Sequence, residues 1–245
     1  MVPFFASNEK TALVDAIRAD LARVRAVRAA ARRAGNDRLT LRAWQAARLA
    51  STYADLLADP RHGPAARFFL EDLYGPKDFS ERDAEIARIL PTMTRLLPLS
   101  AVRTFGLAIS LDCLSEELDA ALVTALRAAL PTGAPMVIDV PGYTAAFRAS
   151  SSRADRERQI GLAGKIGVAL DALSRKPLIA KAVEMMRGPA HAAGLGDLHD
   201  FLERGFQAFR HMRGADEFLG IIDRRERRIL DRVLGGDPDP FRTTD

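Results

Sequence analysis

Apolar residues recur every three or four positions along nearly all of this 245-residue chain. In the first such stretch the apolar stripe consists of Leu13, Ile17, Leu21 and Val24. This spacing places side chains on one face of a helix, whereas a half-buried strand requires apolar residues at alternate positions. One short run, residues 136–140, resembles a strand, but it has no second strand to pair with and we interpret it as a loop. The sequence therefore predicts an all-α fold, a compact multi-helix bundle of about eight to ten helices.

Capping residues and helix breakers divide this pattern into separate helices. Ser7 or Asn8 is positioned to cap the first helix, and Thr40 the second. Ser80 and Asp83 form an acidic variant of the capping box for the fourth helix. Pro91 must kink or break that helix, because proline lacks an N–H. The predicted helices cover approximately residues 8–35, 40–59, 63–75, 80–91, 100–130, 143–149, 153–174, 177–187, 195–213 and 215–234.

The longest irregular stretch, residues 131–142, is the only candidate for a boundary between subdomains. The chain shows no internal repeat, and nothing in the pattern indicates an independent core on either side of this loop. We therefore predict a single all-helical domain over residues 1–245. Glycine and proline are frequent in residues 235–245, which we predict to form a frayed tail.

The charge pattern and the single cysteine restrict the class of protein. The formal net charge is +4, and most basic residues alternate with acidic ones, as in solvated helix faces. Nucleic-acid binding is therefore disfavoured. Cys113 is the only cysteine, which excludes an intramolecular disulfide and suits a reducing compartment. The first residues are a poor signal peptide, and no apolar run approaches the ~18 residues of a membrane span. We expect a cytoplasmic protein with no membrane span.

The segment from Arg67 to Asp83 concentrates aromatic, acidic and turn-forming residues between two predicted helices. Phe68, Phe69 and Leu73 are candidates for the core. Polar groups gather near the Gly75–Pro76 turn, and they allow two interpretations: a binding site on a rigid turn, or a buried network that satisfies helix ends and a nearby arginine. The polar candidates of this segment are Asp72, Tyr74, Asp78 and Arg82.

Two runs of this sequence together resemble an uncharacterised family of bacterial all-helical proteins. The first is an FFLEDLYGP-type signature over residues 68–76, followed by Asp-Phe-Ser-Glu-Arg-Asp over residues 78–83. The second covers residues 201–214, Phe-Leu-Glu-Arg-Gly-Phe-Gln-Ala-Phe-Arg-His-Met-Arg-Gly. The likeness extends over most of the chain. It implies a helical fold and carries no known activity.

Asp112, Glu116 and Asp119 form an acidic stripe, since spacings of four and three place them on one helical face. Such a cluster on a largely apolar helix requires cations, either a metal ion or arginines. Ferritin-like metal sites use Glu-x-x-His motifs, and this sequence has none. We therefore expect arginine pairing, with the acids near the surface, and we expect no metal and no cofactor.

His199, Glu203 and Arg210 fall at similar angles beside the apolar face of another predicted helix. A histidine one turn from a carboxylate can form part of an acid–base pair, and it can equally form an ion pair at the edge of the core. No serine or cysteine nucleophile is tied to them, because Cys113 is predicted to be an inert thiol in a core helix. Of the other histidines, His211 is expected on the solvent side, and His62 and His191 in connectors.

Two further patterns have simple structural interpretations. Gly161, Gly164 and Gly167 follow a charged helical run rather than a strand, so they favour close helix packing over a phosphate-binding loop. The arginine-rich run over residues 224–232 is interrupted by acids, which indicates a solvated helix face.

These observations lead to one expectation for function and two alternatives. The first is a cytoplasmic helical binding or adaptor protein that recognises a protein partner or an apolar small ligand between helices. The second is an enzyme of unknown reaction that uses carboxylate, histidine and arginine groups. The third is a weak nucleic-acid binder that uses its arginines.

Overall fold

The computed structural model describes residues 3–33, 35–73, 85–91 and 99–242. Within these ranges every regular element is helical and no strand occurs, so the all-α prediction is confirmed. None of these helices is both long and apolar enough to cross a membrane. The helices are α1 (Pro3–Arg33), α2 (Asp37–Thr52), α3 (Ala54–Ala58), α4 (Gly63–Phe68), α5 (residues 85–91), α6 (Leu99–Ala128), α7 (Val140–Ser150), α8 (Arg153–Ser174), α9 (Pro177–Ala192), α10 (Gly196–Met212) and α11 (Asp216–Leu234).

Side-chain caps define the starts of α7 and α8. Ser152 accepts a hydrogen bond from the backbone N–H of Asp155 at 3.1 Å, and α8 has its predicted bounds. Asp139 caps α7 in the same way, accepting from the N–H of Gly142 at 2.8 Å, and α7 therefore begins earlier than predicted. Residues 131–139 contain no regular element, as predicted.

Other predicted boundaries are wrong. Helix α1 begins at Pro3, so Ser7 and Asn8 lie inside it and do not cap it. Helix α2 begins at Asp37, which places Thr40 in its first turn. Helix α9 continues through Pro189, and His191 therefore belongs to its last turn rather than to a connector. The proposed cap at residues 80–83 lies outside the described residues.

Helix α6 is the central element, and it packs against α1, α2, α7 and α8. Against α1 the close approach occurs at Gly106, where an added Cβ would lie 3.1 Å from a terminal carbon of Leu13. Ile17 and Leu21 of α1 share a core cluster with Val102 and Ile109 of α6. Helix α1 is thereby fixed to α6.

The two runs that resemble the helical family pack against each other. The rings of Phe68 and Phe201 lie 5.4 Å apart between centroids. Gly205 lies directly beneath the Phe68 ring, since a Cβ at position 205 would be 2.6 Å from its Cζ atom. Phe68 is buried, whereas Phe69 is only partly buried although it contacts the ring of Phe209. These contacts fix α4 against α10, and they thereby position the polar side of α10.

Two residues of the predicted tail, Pro240 and Phe241, pack against the bundle. The Phe241 ring lies edge-on to Trp44 at 5.9 Å, and Tyr143 contacts it at the same centroid distance. Pro240 is fully buried. Aromatic packing therefore holds residues 240–241 against the bundle.

The glycines of α8 do not act together as predicted. An added Cβ at Gly167 would meet the side chain of Leu219 on α11, which fits close packing. Nothing lies within 4 Å of the corresponding position at Gly161 or Gly164. Close packing is therefore correct for Gly167 and wrong for the other two residues.

The contact of Gly205 with Phe68 gives a direct test of the α4–α10 packing. We expect Gly205→Ala to lower the free energy of unfolding by about 1–3 kcal/mol, because the methyl group would overpack a rigid ring. Gly164→Ala is the matched control: its position is open, and helix propensity should raise the stability by about 0.5–1 kcal/mol. Urea unfolding followed by circular dichroism measures both, and equal effects would contradict this packing.

Candidate functional site

The acidic stripe of α6 is the centre of a buried charge cluster, which we call the arginine–carboxylate cluster. Glu116 is 2% exposed. It accepts hydrogen bonds from Arg28 Nε at 3.1 Å and Nη2 at 3.0 Å, and also from the guanidinium groups of Arg38 and Arg42. Arg28 comes from α1, and the other two arginines come from α2. A single carboxylate thus joins three helices.

The neighbouring acids complete the charge balance of this cluster. Asp112 accepts from Arg28 Nη2 at 2.7 Å. Asp119 lies 3.2 Å from Arg38 Nη2 and accepts from the Gln45 amide at 3.0 Å. Three carboxylates therefore face three guanidinium groups. Burial lowers the pKa of the Arg42 guanidinium, and the Glu116 carboxylate opposes that shift.

The structure corrects one part of the prediction for Asp112 and Glu116. Arginine pairing is present, but the expectation that the acids lie near the surface is wrong for Glu116. Three arginines, each distant in the sequence, satisfy its oxygens and replace the solvent that an isolated carboxylate would need. Because arginines of α1 and α2 engage the oxygens of Glu116, we interpret the cluster as a structural network that connects these helices to α6.

Asp72, in the first signature run, forms an ion pair with Arg204, in the second. Its carboxylate accepts from Arg204 Nε at 3.2 Å and Nη2 at 2.8 Å, and the residue is buried. This contact agrees with the interpretation of Asp72 as part of a buried network with an arginine. The remaining candidates of that segment, Tyr74, Asp78 and Arg82, lie outside the described residues.

Helix α9 supplies partners for two of the three candidates on α10. Glu203 is buried and accepts from Arg187 Nε at 3.0 Å and from the Gln207 amide at 3.2 Å. Arg210 is exposed, and no hydrogen bond or ion pair joins its side chain to another described residue. Of the three residues that the sequence grouped together, His199 and Glu203 therefore contact α9, and Arg210 does not.

His199 is buried at 7% exposure, and its hydrogen bonds determine its tautomer. Its Nε2 atom lies 2.7 Å from the carbonyl oxygen of Val183. Because a carbonyl only accepts, Nε2 carries the proton, and Nδ1 of the neutral ring carries a lone pair. Nδ1 is buried without a hydrogen-bond partner, and it lies 3.7 Å from Asp200 Oδ1.

Asp200 also contacts a second histidine. His191 Nε2 lies 2.9 Å from Asp200 Oδ1, and the two histidine rings are 6.2 Å apart between centroids. The hydrogen bond from His191 lowers the pKa of the Asp200 carboxyl, which therefore stays ionised over the physiological range. His191, His199 and Asp200 each offer one ligand atom, and these atoms lie within 4.8 Å of one another.

An open polar cleft of about 400 Å³ adjoins these residues, and we call it the α9–α10 cleft. Its walls carry two guanidinium groups, two carboxylates, an imidazole and an amide. The sequence analysis missed most of them, because partners from α9 and α10 show no short spacing. The only local signal is that Asp200 directly follows His199. The lining residues are Arg187, His191, Asp200, Glu203, Arg204 and Gln207.

Removal of the central carboxylate tests the role of the arginine–carboxylate cluster. We expect Glu116→Gln to destabilise the protein by about 3–5 kcal/mol, because it leaves buried guanidinium charge without its partner. Glu117→Gln is the control at the next position: its carboxylate is more exposed and pairs with Arg23, so we expect a loss of about 0–1 kcal/mol. Urea unfolding distinguishes them, and similar losses would contradict a structural role specific to Glu116.

The thiol of Cys113 provides a second test. Burial, and then the neighbouring Glu117 carboxylate, raise the pKa of this thiol to about 11. The neutral thiol is therefore retained at pH 8, whereas an unfolded chain with a pKa of about 8.5 is partly ionised. We expect iodoacetamide to label the native protein at least about 100-fold more slowly than the urea-unfolded protein, with the native rate rising towards pH 11. Native and unfolded rates within a few fold at pH 8 would contradict this.

The comparisons with known proteins concern the family of the chain. No curated protein and no solved structure shows significant similarity to it. One family model matches residues 24–240, which include both signature runs, the arginine–carboxylate cluster and the α9–α10 cleft. The match covers far more than half of the chain. The chain therefore belongs to the family described as domain of unknown function DUF8198.

Proposed function

We propose that this protein is a cytoplasmic helical binding protein that recognises a protein partner through the outer face of α9. The observation that carries this proposal is the exposure of large apolar side chains on one helix. Leu178 is 84% exposed, Met185 68% and Met186 53%. Leu178, Ala182 and Met185 are separated by four and three residues, so they form one stripe along α9.

A contiguous apolar stripe indicates an interaction site, whereas scattered exposed apolar residues do not. Single exposed apolar side chains are normal, whereas a continuous patch is typical of a protein interaction site. Methionine suits such a surface, because its flexible, polarisable side chain adapts to different partner shapes. Only Ala190 of α9 is buried, so the helix offers most of its surface to solvent.

Charge indicates the kind of partner. Lys181 is exposed, and it lies beside the apolar stripe, three residues after Leu178 and four before Met185, whereas Arg187 faces α10 and pairs with Glu203. A lysine at the border of an apolar stripe complements an amphipathic helix with an acidic border. We therefore infer an acidic, amphipathic helical segment of another protein as the partner.

The other expected functions receive less support. An apolar small ligand does not suit the α9–α10 cleft, because charged side chains line it. For an enzyme, the carboxylates of Asp112 and Glu116 are engaged by arginines and belong to a different cluster from His199. For nucleic acid, arginines of α11 pair with acids, as Arg225 does with Asp55 and Arg227 with Asp223.

A site-specific crosslink tests the proposal. A photo-crosslinking residue is introduced at Met185 and, as the matched control, at Val168, which is a 59% exposed apolar position on α8. We expect a discrete protein adduct at position 185 only, with the crosslinked peptide mapping to an acidic amphipathic helix. With the purified partner, Leu178→Glu should weaken binding by at least about 10-fold, as for an interface anchor.

Three results would contradict this function. The first is the absence of an adduct specific for position 185. The second is an adduct with a second copy of this chain, which sedimentation velocity would show as a dimer. The third is partner binding that Leu178→Glu leaves unchanged while circular dichroism shows a folded protein.

A further inference from the structure

We propose that His191, His199 and Asp200 form a binding site for a first-row divalent transition metal ion, for which Zn²⁺ is the suitable probe. This inference is independent of the partner proposed for α9. Two imidazoles and one carboxylate are a ligand set that zinc accepts, with a fourth position left for water or another ligand. The donors come from the last turn of α9 and the first turns of α10.

The spacing of the donor atoms is compatible with one ion. Metal–ligand bonds of about 2.0–2.1 Å in tetrahedral geometry place neighbouring donors about 3.3 Å apart. Asp200 Oδ1 lies 2.9 Å from His191 Nε2 and 3.7 Å from His199 Nδ1. The two observed distances bracket the required value, and all three atoms lie within 4.8 Å of one another. Binding would replace the hydrogen bond between His191 and Asp200: the proton of His191 moves to Nδ1, so that Nε2 offers its lone pair to the ion.

His199 is already prepared as a ligand. Its distal nitrogen, Nε2, donates to the carbonyl oxygen of Val183, which fixes the ring and leaves the lone pair on Nδ1. A backbone carbonyl on the far nitrogen is the usual outer-shell contact of a metal-binding histidine. Nδ1 itself is buried and has no hydrogen-bond partner. An unsatisfied buried nitrogen is costly, and a cation at this position would engage both this nitrogen and the Asp200 carboxylate.

The surroundings of His191 and Asp200 leave space for the histidine ring and give an ion access from solvent. The ring of His191 lies over Gly196, where a Cβ would be only 2.8 Å from its Nδ1 atom, so the glycine leaves space for the ring. His191 and Asp200 both line the α9–α10 cleft. An ion can therefore enter from solvent, and a ligand in the cleft can reach its remaining position.

The sequence expectation of no metal depended on the absence of Glu-x-x-His. His191 and His199 are eight residues apart, and the turn between α9 and α10 lies between them. No short helical motif contains such a pair. The two donors meet only because α9 folds back onto α10.

Titration of the purified full-length chain tests the site. After treatment with a chelator, calorimetry with ZnCl₂ should show one ion bound per chain. His191→Ala and Asp200→Asn should each lower the affinity by at least about 100-fold, beyond the 10–100-fold loss typical of outer-shell changes. His211→Ala is the matched control, since this exposed histidine of α10 contacts only the carbonyl of Pro60 among its described hydrogen bonds, and it should leave the affinity unchanged.

A second readout distinguishes a built site from surface adsorption. Co²⁺ bound by these three ligands should give visible absorption bands of a low-coordinate complex, and these should disappear in His191→Ala. Since His191 and Asp200 are substantially exposed, both variants should fold, which circular dichroism verifies. The proposal is overturned if the wild-type chain binds no Zn²⁺, or if both folded variants bind it as the wild type does.

Discussion

The buried carboxylate of Glu116 is the interaction on which the arrangement of the first half of this protein depends. An ionised carboxylate cannot be removed from water without compensation, because its desolvation costs several kcal/mol. Arg28, Arg38 and Arg42 supply that compensation, and they do so only when α1 and α2 lie at one position along α6. An apolar contact would tolerate small shifts between these helices, whereas hydrogen bonds to one carboxylate do not.

A second constraint connects α4 to α10, and it works through shape rather than charge. Gly205 lets the Phe68 ring lie against the backbone of α10, and the Asp72–Arg204 ion pair lies beside this contact. Because Arg204 also lines the α9–α10 cleft, the same contacts that join the two signature runs place one wall of that cleft. The resemblance noted in the sequence therefore corresponds to one packed unit.

The sequence predicted most of what is local in this structure. The all-α class follows from periodicity, and the predicted bounds of α8, residues 153–174, are those observed. The boundaries failed where local signals compete, as at Pro189, which α9 tolerates in its last turns. Side-chain partners could not be predicted, because they come from distant residues: Arg28 meets Glu116 across 88 positions. The candidate site shows the same limit, since His199 was identified while Asp200 and His191 acquire meaning only when α9 and α10 meet.

The two sides of α9 explain why one helix serves both proposals. Its outer stripe is apolar and exposed, but its inner side buries only Ala190. Two polar contacts join the helix to α10, namely Arg187 with Glu203 and the carbonyl of Val183 with His199. Because hydrogen bonds and partly exposed ion pairs contribute less than core burial, we expect α9 to be held less strongly than the helices of the core. A metal ion between His191 and the ligands of α10 would tie the end of this helix to the bundle. The same ion would stabilise the surface that a partner meets.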